Sequence, residues 1–318
     1  MTKPYVREDV AAMLAAAAKN PRPTLRQLGP VGARQTMRNR GQVIDLPIGE
    51  LATVKDIEVP RTYGSMIRTR LFDARSSRDK APVLLYFHGG GFVFGDLDTH
   101  ASACAEIARQ MDLPVLAVEY RLAPEHPWPA AQDDCKKVAD WLNNGAKTLG
   151  FLPSGILFCG DSAGGWLSVV VALHSLARKN TLPILAIGLI YPLIDMNCAH
   201  YASFEECGTG YTLTADGMNW SMECFRPDLS DPTSNLSNLV RAELPPTVIV
   251  SASLDPLRDQ GSAFAMALTK AGVTSLYFEA RGQVHGFIGS RGAIPSSRHD
   301  LDAFLTLLKA AIKANPRG

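Results

Sequence analysis

The segment Ile156-Leu157-Phe158-Cys159-Gly160-Asp161-Ser162-Ala163-Gly164-Gly165-Trp166 constrains the fold more than any other part of the chain. An apolar run, Ile156 to Cys159, ends in Gly160, and a helix-like stretch from Trp166 to Arg178 follows. Between them Gly-Asp-Ser-Ala-Gly fits the pattern Gly-x-Ser-x-Gly. A serine at the apex of a sharp strand-to-helix turn sits on cramped backbone and needs small neighbours. Gly160, Gly164 and Gly165 supply them. The turn pushes the Ser162 hydroxyl out of the sheet, and the helix behind it aims amide hydrogens and a positive dipole end at the same point. Taken alone, the pentapeptide is equally a tight turn without chemistry, because Gly and Ser are ordinary turn residues.

The surrounding pattern gives the turn its setting. Val54 to Val59 and Ser65 to Asp73 alternate in part and suggest an antiparallel edge pair. Pro82 to Phe87 is continuously apolar, as a strand buried on both faces requires. Strands at Pro114 to Tyr120, around Ile156, at Ile184 to Tyr191, Thr247 to Ser251 and Ser275 to Glu279 alternate with helices at 98–111, about 130–144, 166–178, 260–271 and 297–313. Such alternation implies parallel βαβ units with helices on both faces, and an active site beyond the carboxyl ends of the strands. Residues 46–195 and 244–318 thus form the body.

Two segments lie outside this alternation. Residues 1–45 read as a helical piece packed on the body: one helix over 8–19, and another from Thr24 to Asn39 interrupted at Gly29-Pro30. Its Arg26, Arg34, Arg38 and Arg40 read as a solvated face. Residues 196–243 exceed a usual connection. They carry Tyr201, Phe204, Tyr211, Met218, Trp220, Met222 and Phe225, and read as a lid over a pocket rather than as extra core.

Bulk properties exclude several function classes. The 318 residues carry 32 basic and 31 acidic side chains, a net charge of +1, so no global field favours nucleic acid. No stretch approaches the ~18 apolar residues of a membrane span. Val10 to Ala18 is apolar, but Glu8 and Asp9 spoil a basic leader, and helix is the better reading. The six cysteines form no Cys-x-x-Cys and no zinc spacing, and no metal is expected. Cys159 in an apolar strand reads as a buried free thiol, which favours a reducing, cytoplasmic setting.

A serine nucleophile needs a base, a group to orient that base, and amide donors for an oxyanion. His88-Gly89-Gly90-Gly91-Phe92 follows the buried strand, so amides of Gly89, Gly90 and Gly91, with that of Ala163, can face a substrate. The run does not fit Gly-x-Gly-x-x-Gly, since position 94 is Phe, which argues against a dinucleotide site. Asp255 stands just past a strand end, and helix capping is its ordinary alternative role. Asp259, a turn into the next helix, is its competitor. His285 lies in the loop after the final strand. The order Ser162, Asp255, His285 is that of α/β-hydrolases. His88 is read as shaping the glycine loop, and His100, His126, His174, His200 and His299 as structural or solvated.

With these residues assembled, the chain resembles the hormone-sensitive-lipase-like (family IV) bacterial carboxylesterases of the α/β-hydrolase fold. The resemblance rests on His88-Gly89-Gly90-Gly91-Phe92, on Tyr120-Arg121-Leu122-Ala123-Pro124-Glu125-His126-Pro127-Trp128-Pro129-Ala130, on Gly160 to Gly165, on Asp255-Pro256-Leu257-Arg258-Asp259, on His285-Gly286-Phe287 and on Gly210-Tyr211-Thr212-Leu213-Thr214. It covers about residues 50–312. It implies a mostly parallel central sheet of about eight strands flanked by helices, with a helical cap built from residues 1–45 and 196–243. It also implies Gly90, Gly91 and Ala163 as oxyanion donors, with Gly89 shaping the turn. Trp166, where the family more often has a smaller residue, joins Phe92, Phe204 and Tyr211 as expected pocket residues.

The expected function is hydrolysis of short- to medium-chain acyl esters through a Ser162-His285-Asp255 triad and an acyl-enzyme, with no cofactor. The expected partner is a small-molecule ester, with neither nucleic acid nor a membrane span involved. The strand Ser275 to Glu279, as a sheet edge, could pair across a homodimer. A carbohydrate or amide deacetylase uses the same machinery. A non-catalytic ligand-binding homologue is the rival from another class, and the presence of His285 counts against it.

Overall fold

A computed structural model describes residues 4–61, 64–179 and 181–315. Eight strands form one sheet: β1 (Thr53–Pro60), β2 (Met66–Asp73), β3 (Lys80–Phe87), β4 (Val115–Val118), β5 (Leu152–Asp161), β6 (Ile184–Ile190), β7 (Thr247–Leu254) and β8 (Ser275–Val284). Their spatial order is β1-β2-β4-β3-β5-β6-β7-β8. β2 runs antiparallel to β1 and β4, and every later pairing is parallel. The antiparallel pair is therefore at the edge, as its alternation indicated. Ile67 and Leu71 point inward, while Arg70 stands opposite Asp56 and pairs with it at 2.5 Å. Thr69, also inward, donates its hydroxyl to Ile57 O at 2.8 Å and so leaves no buried polar group unsatisfied there. β8 closes the other end of the sheet.

The helices are α1 (Glu8–Lys19), α2 (Leu25–Ile44), α3 (Ala101–Met111), α4 (Ala130–Asn143), α5 (Ala163–Leu176), α6 (Ala202–Glu206), α7 (Ala215–Phe225), α8 (Arg258–Lys270) and α9 (Ser297–Ala314). Alternate residues of β3 feed two cores. Val83, Leu85 and Phe87 meet α4, α5 and α8, whereas Leu84 and Tyr86 meet α3 and α9. Each fully buried large apolar side chain contributes about 2 kcal/mol. This two-sided burial is why β3 is apolar throughout. Among the described residues, no helix is long and apolar enough to cross a membrane. All six cysteines are free, and Cys159 is buried in β5.

Of the boundaries that differ from the sequence reading, two bear on the site. α5 starts at Ala163, not Trp166, because Gly164 and Gly165 are its first turn. α2 runs to Ile44 rather than Asn39 and bends where expected, at Gly29, with φ 63° just ahead of Pro30. Its basic residues are only in part a solvated face, since Arg26 and Arg38 are exposed yet ion-paired, and Arg34 and Arg40 are half-buried. Arg26 pairs with Asp216 and Glu223 of α7, Arg34 with Glu125, and Arg38 with Asp96. The charge pattern of one segment is blind to the carboxylates that the fold brings to it.

Candidate active site

Ser162 joins β5 to α5 and carries φ 54° and ψ −119°, a conformation that costs a non-glycine residue about 1–3 kcal/mol. Close packing holds it there. A Cβ on Gly164 would lie 1.8 Å from Phe87 O, and one on Gly160 would lie 2.4 Å from Gly164 O. The glycines are thus required because the end of β3 lies directly against the elbow. Ser162 N–H donates to Ile190 O and Ser162 O accepts from Leu193 N–H, which ties the turn to the end of β6 as well.

His285 follows β8 directly and Asp255 follows β7, so neighbouring parallel strands deliver both to the elbow. His285 Nε2 lies 2.9 Å from Ser162 Oγ, and His285 Nδ1 lies 2.6 Å from Asp255 Oδ2. Asp255 is fully buried. Its other oxygen accepts from Leu257 N–H at 2.9 Å, so it holds the start of the following helical turn at the same time. Asp259 is occupied elsewhere, accepting from Ser203 N–H and Arg258 Nε. Thr212 donates its hydroxyl to His285 O at 2.7 Å, linking the 196–243 segment to the imidazole. The Tyr191 ring stands 4.5 Å from that of His285.

The glycine loop is held by a buried carboxylate to which the sequence alone gives no role. Asp161 Oδ1 accepts from Tyr86 OH at 2.8 Å and from Gly89 N–H at 2.9 Å, with His100 Nε2 at 3.4 Å. Gly89 is therefore not an oxyanion donor, because its amide is committed to Asp161. Gly90, Gly91 and Ala163 do line the cavity beside Ser162. Burial alone would push the Asp161 carboxyl up, but the charge and hydrogen bond of His100 outweigh it and hold it below its ordinary value. His100 responds in kind: burial lowers it, yet Asp161 raises it overall. Beside them His88 is pushed down to about 4 by burial and by the neighbouring charge of His100. The His88 Nδ1–H donates to Gly89 O at 2.7 Å, and the ring stacks on Tyr120 at 4.2 Å, so it does shape the loop. In the sequence Asp161 is only the variable residue of the motif, and nothing there links it to His100.

A cavity of about 210 Å³ opens over Ser162. α2 contributes Met37, Arg40 and Ile44 to its wall, and α7 contributes Met218, Ser221 and Met222. None of the four expected pocket residues lines it. Phe92 and Trp166 are fully buried below, where Phe92 stacks on Phe225 at 3.9 Å and meets Trp166 edge-on at 5.7 Å. Trp166 Nε1–H donates to Thr233 O, so this aromatic group fastens the 196–243 segment to the body. Phe204 packs against the same core, and Tyr211 turns toward Val10 on α1. Thr212 and Leu213, next to Tyr211, face the cavity instead. A surplus of aromatic residues marked the right segment, but their size drew them into packing.

Comparison with known proteins agrees with this fold. Residues 84–289 match the family model for the alpha/beta hydrolase fold. The chain is 32% identical over 285 residues to the esterase LipI of Mycobacterium tuberculosis, covering 84% of each chain. It is 33% identical over 265 residues to an ethyl acetate hydrolase of Pseudomonas putida, covering 80% of this chain and 82% of that one. An alpha/beta hydrolase enzyme from the metagenome of Lake Arreo, Spain, superposes with a TM-score of 0.90 at 29% identity, covering 98% of this chain and 99% of the other. On fold, site geometry and these likenesses together, the chain belongs to the hormone-sensitive-lipase-like carboxylesterases of the α/β-hydrolase family.

Proposed function

We propose that the protein is a serine carboxylesterase acting on short- to medium-chain acyl esters. The observation that carries this is the unbroken line from Ser162 Oγ through the His285 ring to the buried Asp255, ending at a cavity bordered by Gly90, Gly91 and Ala163. Ser162 attacks the acyl carbonyl while neutral His285 takes its proton, and Asp255 fixes the tautomer and stabilises the imidazolium. The amides of Gly90, Gly91 and Ala163 hold the oxyanion, each worth about 3–4 kcal/mol of barrier. His285 then gives its proton to the departing alcohol, and water repeats the sequence on the acyl-enzyme. Roofing by α2 and α7 and the ester hydrolases among its relatives support a small ester as substrate.

The test combines a fluorophosphonate probe with p-nitrophenyl esters from acetyl to palmitoyl. Wild type labels at Ser162 and turns over acetyl to octanoyl esters best. Ser162→Ala neither labels nor hydrolyses, with kcat down about 10⁴-fold or more. Hydrolysis retained by Ser162→Ala would falsify the assignment, and a palmitoyl optimum would remove the chain-length reading.

A further inference from the structure

The cavity wall holds one charge that the hydrolytic machinery does not use. Four arginines lie on α2. Arg26, Arg34 and Arg38 each meet a carboxylate within 3.1 Å. Arg40 lies on the last turn and a half of α2 and lines the same cavity as Ser162 and His285. Among the described residues no carboxylate pairs with it, and the charged group that bears on it is another cation, Arg22. Burial, with Arg22 adding to it, pushes the Arg40 guanidinium below its ordinary value, which remains far above neutrality.

Within the cavity the balance of charge is one-sided. Asp161 is the sole carboxylate among its described lining residues, and Tyr86, Gly89 and His100 already occupy it. The wall that α2 and α7 give to this cavity also carries Met37, Ile44, Met218 and Met222. A cation that is only partly exposed, in a wall otherwise largely apolar and with no counter-ion among the described residues, is a cost to the empty site. A carboxylate brought by the substrate offsets that cost. It also meets the planar fork of donors that a guanidinium presents, with charge-assisted bonds about twice as strong as neutral ones.

Resting on the esterase reading above, we infer that Arg40 is a specificity-determining residue that selects esters carrying a carboxylate at the end remote from the scissile bond. Such a substrate is a monoester of a dicarboxylic acid, or an acylated hydroxy acid. Hydrolysis breaks the bond between acyl carbon and alcohol oxygen, places the water oxygen on the acyl carbon, and leaves the remote carboxylate unchanged.

The test uses two pairs of substrates in which a terminal methyl replaces the carboxylate. Monoethyl adipate against ethyl hexanoate places the charge on the acyl side, and 5-acetoxypentanoate against pentyl acetate places it on the alcohol side. The expected result is a charged-to-neutral ratio of kcat/KM above one in one pair, which identifies the side. Arg40→Met and Arg40→Gln each lower that ratio at least tenfold, mainly through KM, and Arg40→Lys lowers it less. Because the readout is a ratio within one variant, a general loss of activity cancels. A wild-type ratio below one in both pairs overturns the inference without any variant, as does a ratio that Arg40→Met leaves unaltered; either means that the guanidinium reaches solvent at the cavity mouth. Failure of wild type on both neutral esters would instead bring down the esterase reading itself.

Discussion

Gly164 shows how little freedom the elbow has. A methyl at this position would stand 1.8 Å from Phe87 O, and no rotamer relieves the clash, because the obstacle is backbone of the central strand. Gly164→Ala is expected to remove about 3 kcal/mol or more of stability, or to prevent folding, as read by thermal unfolding. A fully stable, active Gly164→Ala protein would mean that β3 and the elbow are not in contact. The same crowding holds Ser162 at its positive φ, so the placing of its hydroxyl and the packing of the sheet are one feature.

At the scale of elements, α2 forms part of the cavity roof only while it stays docked. Its start is fixed by a capping box, with Thr24 accepting from Gln27 N–H and Gln27 from Thr24 N–H. Its middle is fixed by Arg34, which donates to Val93 O and Ala123 O at 2.8 Å and pairs with Glu125. Val93 follows the glycine loop and Ala123 precedes Pro124, so one side chain ties the roof to the region carrying the proposed oxyanion donors. Arg34→Ala leaves these acceptors without a partner and is expected to cost about 1–3 kcal/mol in urea unfolding. It should also raise KM as the roof loosens, while fluorophosphonate labelling of Ser162 persists. An unchanged KM would show that docking of α2 does not shape the site.

Across the whole molecule, the buried group formed by His88, His100 and Asp161 makes stability depend on pH in opposite senses. His88 is lowered to about 4, so the folded state resists a proton that the unfolded chain accepts near 6.5. Its contribution is complete above 6.5 and is lost as pH falls toward 4, by about 3 kcal/mol. Asp161 is lowered too, so its contribution is present above the ordinary carboxylate range and is lost as pH falls through its folded value. His100 is raised, so its contribution is present at acid pH and declines as pH rises through its folded value. His88→Asn keeps a donor toward Gly89 O without a titrating ring. Its urea-unfolding stability should therefore fall less than that of wild type between about pH 6.5 and 4. Parallel profiles for the two proteins would refute the burial argument for His88.

What the sequence determined by itself is what the backbone encodes locally. Apolar runs on both parities placed β3, β5 and β6 in the centre, and motifs at the carboxyl ends of β5, β7 and β8 named Ser162, Asp255 and His285. Each needs only its own strand end, and parallel strands bring such ends together. Tertiary structure alone decided the rest. Whether Trp166 faces a cavity or a core depends on which side of α5 lies on the sheet. The binding of Gly89 by Asp161 depends on β3 lying beside β5. The pairing of three arginines of α2, with a fourth left to the cavity, depends on carboxylates dozens of residues away. These roles are set by the meeting of distant segments, and neither periodicity nor spacing along one segment records which distant side chain will stand opposite it.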